Sequence, residues 1–532
     1  MVTHPVSSEL AATAGTERSA APRLEMRGIT KRYPGVTAND HIDLDLQRGE
    51  IHALLGENGA GKTTLMNILY GRAVPDEGQI LIDGTPVHIA GPSDAISRGI
   101  EMVHQHFMLI PVLSVAENVV LGAETMANPI LLDKREASRR IRELAGKFGF
   151  ELDPDAKIES LSVGQQQRVE ILKMLYRDAQ ILVLDEPTAV LTPGETEEIF
   201  VLLRNLAKDG RSIIFISHKL TEVLEIADRI TVIRRGKVIG QRRPAETTEE
   251  ELAELMVGRA VLLTVERGES HPAEVRLKVE GLHVKDDRGN EMVRGLDLEI
   301  RGGEILGIAG VAGNGQDELV EALVGLRRVA AGHIHLRGRD VTGVSPRAIN
   351  EANVGYVPAD RHRFGLILAF PLTDNLVLTS YYKAPYAHGQ LRDGHAIAMA
   401  AREKVKAYDV RTPSIEVAAQ TLSGGNQQKL IVAREFEGDT TLLVLDQPTR
   451  GLDVGSIEFI HRRIIEKRDA GTAVLLVSAE LDEVMELSDR IAVMYRGKLV
   501  AFLDGRTADK NEVGLLMATG GRTVPDASGA AS

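Results

Sequence analysis

The chain has 532 residues, 43% of them hydrophobic and 26% charged, and a formal net charge of −13. This is too long for one compact core and sets an expectation of about two to four domains. The acidic balance argues against a general nucleic-acid binder, which needs a basic face. The absence of cysteine excludes disulfides, iron–sulfur clusters and cysteine-based zinc sites, and it fits a cytoplasmic setting.

Residues 1–22, rich in Ser, Ala and Thr, read as a disordered leader rather than a secretory signal. No apolar run approaches the roughly 18 residues of a membrane helix, so any membrane role is expected to come through partners. Tyr33 is a candidate adenine-stacking ring, and equally readable as a half-buried tyrosine. A short apolar run at 51–55 predicts a buried strand, and 62–70 a helix. Between them Gly56, Glu57, Asn58, Gly59, Ala60, Gly61, Lys62, Thr63 and Thr64 hold the phosphate-loop pattern. Its glycines let backbone N–H groups converge on phosphate oxygens at a helix N-terminus. Lys62 would reach the β- and γ-phosphates, and the Thr63 hydroxyl would ligate Mg²⁺.

Gln105 ends the next apolar segment and is a candidate to sense metal and attacking water. His104 and His106 flank it, but no third ligand is evident, which favours surface or packing roles for both. Residues 133–148, dense in Arg, Glu and Ala, predict a helix of a separate helical subdomain. A strand at 181–184 delivers Asp185, expected beside the Mg²⁺ shell, and Glu186, positioned to accept a proton from water. A helical pattern over 195–208 precedes a strand at 213–216. His218 follows that strand, either contacting the γ-phosphate or serving structure alone.

The chain then repeats itself. The loop at 56–63 finds its echo at 310–317, 254 positions on, whereas Ser162, Asp185 and Ser217 recur at Ser423, Asp446 and Ser478, each 261 on. The second copy has therefore gained seven residues between its loop and its Leu-Ser-Gly motif. Periods of this size mean duplication of a domain, not a solenoid. The seam falls at 261–273. In the second copy Gln316 replaces the loop lysine, Asp317 the metal-binding hydroxyl, Gln447 the base, Ala479 the histidine and Ala359 the Gln105 position. Glutamine is a poor proton acceptor at neutral pH, so hydrolysis is not expected there.

Together these motifs resemble the ATP-binding-cassette family, whose Leu-Ser-x-Gly-Gln signature appears here as Leu-Ser-Val-Gly-Gln at 161–165 and Leu-Ser-Gly-Gly-Asn at 422–426. The resemblance implies an α/β fold of two tandem phosphate-loop ATPase cassettes, at 23–260 and 274–520. Each is a mixed-sheet core plus a helical subdomain, and a disordered tail follows at 521–532. It further implies cassettes clamped head to tail, with ATP and Mg²⁺ held by one cassette's loop and the other's signature. Lys62, Asp185, Glu186 and His218 would then face Ser423, Gly424 and Gly425, with Asp453 crossing toward the same pocket. The second loop would face 162–165, where Val163 intrudes on a glycine position.

The tandem arrangement with a degenerate second copy is similar to the ATPase subunits of simple-sugar importers. The stretches at 102–109 and 114–118 resemble the nucleoside-uptake branch. This implies two integral membrane permease subunits and an extracytoplasmic substrate-binding protein as partners. It also implies a peripheral place on the cytoplasmic face of a bacterial inner membrane. The helical subdomain and the Gln105 segment would be the docking surface, with the seven extra residues helping the halves meet non-identical permeases. The alternative is a soluble tandem-cassette ATPase acting on ribosomes or DNA. The chain lacks the long charged linker, second complete site, zinc-binding cysteines and coiled-coil room that such proteins carry.

Overall fold

The computed structural model describes residues 21–34, 36–104, 108–123, 126–128, 131–132, 134–188, 191, 193–259 and 267–521. Each copy is built on two large sheets, with a small two-stranded one beside them. In the first, Val36–Leu46, Leu24–Tyr33, Glu77–Ile82 and Thr85–Val87 form an antiparallel sheet in that order. A six-stranded sheet runs Lys237–Arg242, Arg229–Arg234, Ile51–Leu55, Ser212–Ile216, Ile181–Asp185 and Ile100–Val103. All its pairings are parallel except the first. The second copy repeats both sheets, with Ile305–Ala309 in the place of Ile51–Leu55.

Every residue of Ile51–Leu55 and of Ser212–Ile216 is buried, because helices cover one face of the parallel strands and the antiparallel sheet with helix Lys62–Leu69 covers the other. Asp185, Glu186, Ser217, His218 and the Gly-rich loop all follow the carboxyl ends of adjacent strands. Open α/β sheets place their ligand sites at this edge.

The helical subdomain has its own small core of Val115, Val119, Ile141, Val169 and Leu172. Its helix Lys134–Lys147 matches the predicted element, Asp133 lying outside the described residues. That helix buries only Ala137, Ile141 and Ala145, and its outer face is tied by Arg139 to Glu136 and Glu143. The seven extra residues of the second copy are split. Ile110 N–H donates to Asn118 Oδ1 just as Ile367 N–H does to Asn375 Oδ1, a spacing of 257, so three residues enter before that point. They coincide with a π-helical turn, Arg361–Gly365, capped by Asp360. Such turns are rare and are found frequently at functional sites. The helix matching Lys134–Lys147 is Gly394–Ala407, 260 positions on, so three more enter before it and the last one after it.

Residues 267–273, in the predicted seam, lie along the second cassette. Arg267 donates to the Ser488 and Gly505 carbonyls, and the buried Arg468 holds Gly268 O at 3.2 Å and Asp489 Oδ1 at 3.0 Å.

One buried charge pair distinguishes the cores. Phe200 of the first copy packs edge-on against Phe215, but its counterpart is His461, 3.0 Å from Glu483 Oε1. Burial alone would push this imidazole down; hydrogen bonds to Glu483 and Glu486 outweigh it and hold it up at about 9. A raised histidine stabilises the fold fully below its unfolded value near 6.5, and the contribution is lost as pH rises through about 9. His461→Ala is expected to cost on the order of 3 kcal/mol at pH 6, since it strands a buried carboxylate. The gap between urea melts of wild type and variant should narrow as pH passes 9, leaving the loss of packing and of the neutral hydrogen bond; a gap independent of pH would mean that the pair is not charged.

Candidate functional site

The first phosphate loop is shaped by close approach of backbone. Gly61 has φ 107°, and a Cβ there would lie 2.2 Å from Ala38 O, so only glycine fits. Gly56 is equally confined, its Cβ position lying 2.2 Å from Ile233 O. The helix Lys62–Leu69 begins directly after Gly61 with no side-chain cap, leaving its first N–H groups to the loop concavity. Lys62 is buried and folds back on the loop, donating from Nζ to Gly56 O at 2.6 Å and Glu57 O at 3.1 Å. Burial lowers its pKa, opposed by Glu186, Asp185 and Glu57. Thr63 is exposed beside it and Thr64 half-buried.

Across the loop stand the strand-end groups. Asp185 is pushed up to about 6, first by burial and then by Glu186, with Lys62 opposing. Glu186 adopts φ 51° and donates its backbone N–H to Ile216 O at 2.8 Å. Its Oε1 lies 2.9 Å from His218 Nδ1. Burial disfavours the charged imidazole of His218, but the hydrogen bond and charge of Glu186 outweigh it and raise the pKa. Two neighbouring half-buried carboxylates thus stand beside one buried lysine. That donor set, with the Thr63 hydroxyl, fits a divalent cation.

The second copy keeps the backbone and changes the chemistry. Gln316 Nε2 donates to Val311 O at 3.0 Å, repeating the bond from Lys62 to Glu57 O. Its Oε1 accepts the Asn314 N–H at 3.0 Å, so this loop amide is satisfied from within. Asp446 is pushed up to about 7, by burial and then by Asp317, and its Oδ1 has no hydrogen-bond partner. Gln447 keeps the left-handed φ of 51° and accepts the Ala479 N–H at 3.0 Å through Oε1.

The two signatures also differ. Ser162 and Gln165 form a reciprocal capping box, closing the N-terminus of Val163–Tyr176. Asn426 is one methylene shorter than Gln165. It donates to Ser423 Oγ at 2.9 Å and accepts from Arg411 N–H at 2.7 Å. The helix Gly424–Glu435 therefore keeps an uncapped N-terminus.

Contacts across the cassette boundary lead from this signature to the first loop. A Cβ on Gly425 would lie 2.6 Å from Ser456 Oγ and 3.0 Å from Asp453 Oδ2. Asp453 caps the next helix through Ser456 N–H at 2.8 Å. Burial and Asp453 raise the pKa of Glu57, while Arg411 opposes. Asn58 Nδ2 donates to Gly451 O at 2.7 Å. Gly425 thus stands, through Asp453, beside the boundary that Glu57 and Asn58 occupy.

Tyr33 is 44% exposed, with Lys31 Nζ 5.6 Å from its ring centroid. His104 packs edge-on against Tyr70 at 5.9 Å, a packing role. Gln105, His106 and the Val163 side chain lie outside what is described. Among the described residues no group of three or more His, Cys, Asp or Glu is arranged to hold a metal. Arg361 and Arg411 were not singled out from sequence. Arg361 Nη2 lies 2.9 Å from the Cβ position of Gly424, and the three residues inserted around it were the available signal.

The ABC transporter family profile matches residues 39–189 and 293–450. The chain is 50% identical to the nucleoside import ATP-binding protein NupA of Lactococcus lactis subsp. cremoris, over 93% of this chain and 98% of that protein. It is 47% identical to a glucose import ATP-binding protein of Haloferax volcanii, over 94% of this chain and 96% of that protein. An archaeal ribosome recycling factor, solved with its stalk protein, superposes with TM-score 0.58 at 21% identity, covering 88% of this chain and 87% of that one. That likeness speaks to the fold alone. With two profile matches and relatives aligned over nearly their whole length, the chain belongs to the ABC transporter family.

Proposed function

We propose that this chain is the ATP-hydrolysing subunit of an importer for nucleosides or simple sugars, nucleosides being the first cargo class to test. The observation that carries this is the asymmetry of the two loops. Lys62, Asp185, Glu186 and His218 converge in the first cassette, while Gln316, Asp317, Gln447 and Ala479 occupy the second. Relatives named for nucleoside and glucose import support the cargo range. No helix among the described residues is long and apolar enough to cross a membrane, and in the proposed complex permease partners supply the pathway. Two permeases and an extracytoplasmic binding protein complete the complex, with this chain peripheral on the cytoplasmic face.

In the proposed cycle ATP lies between the first loop and Ser423, Gly424 and Gly425 of the second cassette. Lys62 leaves the Gly56 and Glu57 carbonyls for the phosphates. Glu186 accepts the proton of the attacking water, and His218, bound to Glu186 Oε1, holds that carboxylate in place. Mg²⁺, held by Thr63 and Asp185 with Gln105 nearby, would supply charge neutralisation of the phosphates. Tyr33 would stack on adenine. ATP binding closes the two cassettes and hydrolysis reopens them, a population shift that the permeases convert into alternating access.

The test is uptake by the complex reconstituted in vesicles with its binding protein. Labelled nucleosides should be accumulated in an ATP-dependent way, more readily than pentoses or hexoses. Sugar uptake alone would move the cargo to the other class. Uptake of neither, with co-purifying ribosomes in place of permeases, would overturn the importer reading.

A further inference from the structure

The cassettes meet about a pseudo-twofold axis. Helix Val454–Asp469 of the second touches Glu249–Val257 of the first, and Lys510–Thr519 touches Pro193–Lys208. These are the same two elements in each copy, meeting reciprocally. In such an arrangement, residues on the axis face their own counterparts.

Lys219 and Glu480 are such counterparts, 261 positions apart, following His218 and Ala479. Lys219 Nζ lies 2.9 Å from Glu480 Oε2. An exact twofold would set like against like here, and duplication has placed opposite charges instead. Each residue stands at the N-cap of a short helix, Leu220–Ile226 or Leu481–Leu487, without capping it, so neither side chain is spent on its own helix end. Behind the pair, Lys219 is 3.5 Å from Glu222 Oε1, and Glu222 Oε2 accepts from Thr188 and Ser217 hydroxyls. The contact therefore reaches the two strand ends that carry Glu186 and His218. A second ion pair shares the asymmetry. Arg259 meets Glu458 at 2.9 Å, whereas the counterpart positions, counted from the matching C-caps Gly258 and Gly520, hold Gly521 and Glu197.

We propose that the Lys219–Glu480 pair pins the register of the two cassettes about this axis, making Glu480 a positioning residue that holds the His218 loop of the first site from the opposite cassette. The proposal rests on the composite-site reading above. Opposite charges on the axis favour first against second, and like charges there oppose closure.

Charge exchange in the full-length chain, assembled with its permeases, tests this. Lys219→Glu and Glu480→Lys should each lower ATP turnover about tenfold, and the double exchange should recover it to within about threefold of wild type. Glu480→Gln keeps the shape and removes the charge. It should lower turnover and flatten its dependence on ionic strength, with the thermal unfolding midpoint unchanged. Wild-type turnover in the single variants, no recovery in the double exchange, or a wild-type salt profile in Glu480→Gln would each overturn the proposal. Ser423→Arg separates the two levels. If it silences turnover while the charge variants are harmless, the composite site stands and the pin falls; if it is harmless too, both fall.

Discussion

Glu186→Gln is expected to stop ATP turnover, lowering kcat by about a hundredfold or more, the range a positioned general base contributes. Loss of fold is not the cause to expect. The second copy already holds a glutamine on the same strand end, Gln447, at the same φ of 51° and with its side chain bonded to the following loop. The backbone there accommodates a carboxamide; what it lacks is a proton acceptor. Gln447→Ala should leave at least half of the turnover, because no attacking water is activated at that end. Steady-state phosphate release by the full complex measures both. Comparable losses would mean that two sites hydrolyse.

Lys62→Ala should also abolish turnover, through nucleotide binding as well as chemistry. A unit charge about 4 Å from a phosphate oxygen is worth on the order of 4 kcal/mol at an effective dielectric near 20, close to a thousandfold in affinity. Lys62 is held in reserve by two carbonyls of its own loop, contacts that are given up readily to a polyanion. Gln316→Ala should change turnover by no more than about twofold, since that side chain serves its own loop amide. Fluorescent-nucleotide titration beside turnover separates the effects. Equal loss from Gln316→Ala would show that the second loop does more than hold its shape.

Much of this was legible in the chain itself. The strand, loop and helix over 51–70 follow from a buried apolar run, glycines at forced turns and the helical pattern after Lys62. Asp185 and Glu186 are legible because a parallel strand ends there. Other features are not local. The seven-residue surplus is visible as a total, yet its division depends on which Asn holds which turn, as Asn118 and Asn375 reveal. A glutamine at 316 announces a lost charge but not the direction in which its amide points. The difference between Gln165 and Asn426 is one methylene, and only the geometry of capping turns it into a closed or an open helix end. Lys219 and Glu480 meet across 261 positions, a distance no spacing rule spans.

The carboxamide of Gln316, seated in its own loop, has a consequence for stoichiometry. Its oxygen fills, without nucleotide, an acceptor role toward the Asn314 N–H that a phosphate oxygen would otherwise fill. On the one-site reading, the clamp would then count nucleotide with one half only. Each stroke on that reading consumes a single ATP. The dependence of rate on ATP is then hyperbolic, without the sigmoid that two coupled sites would give.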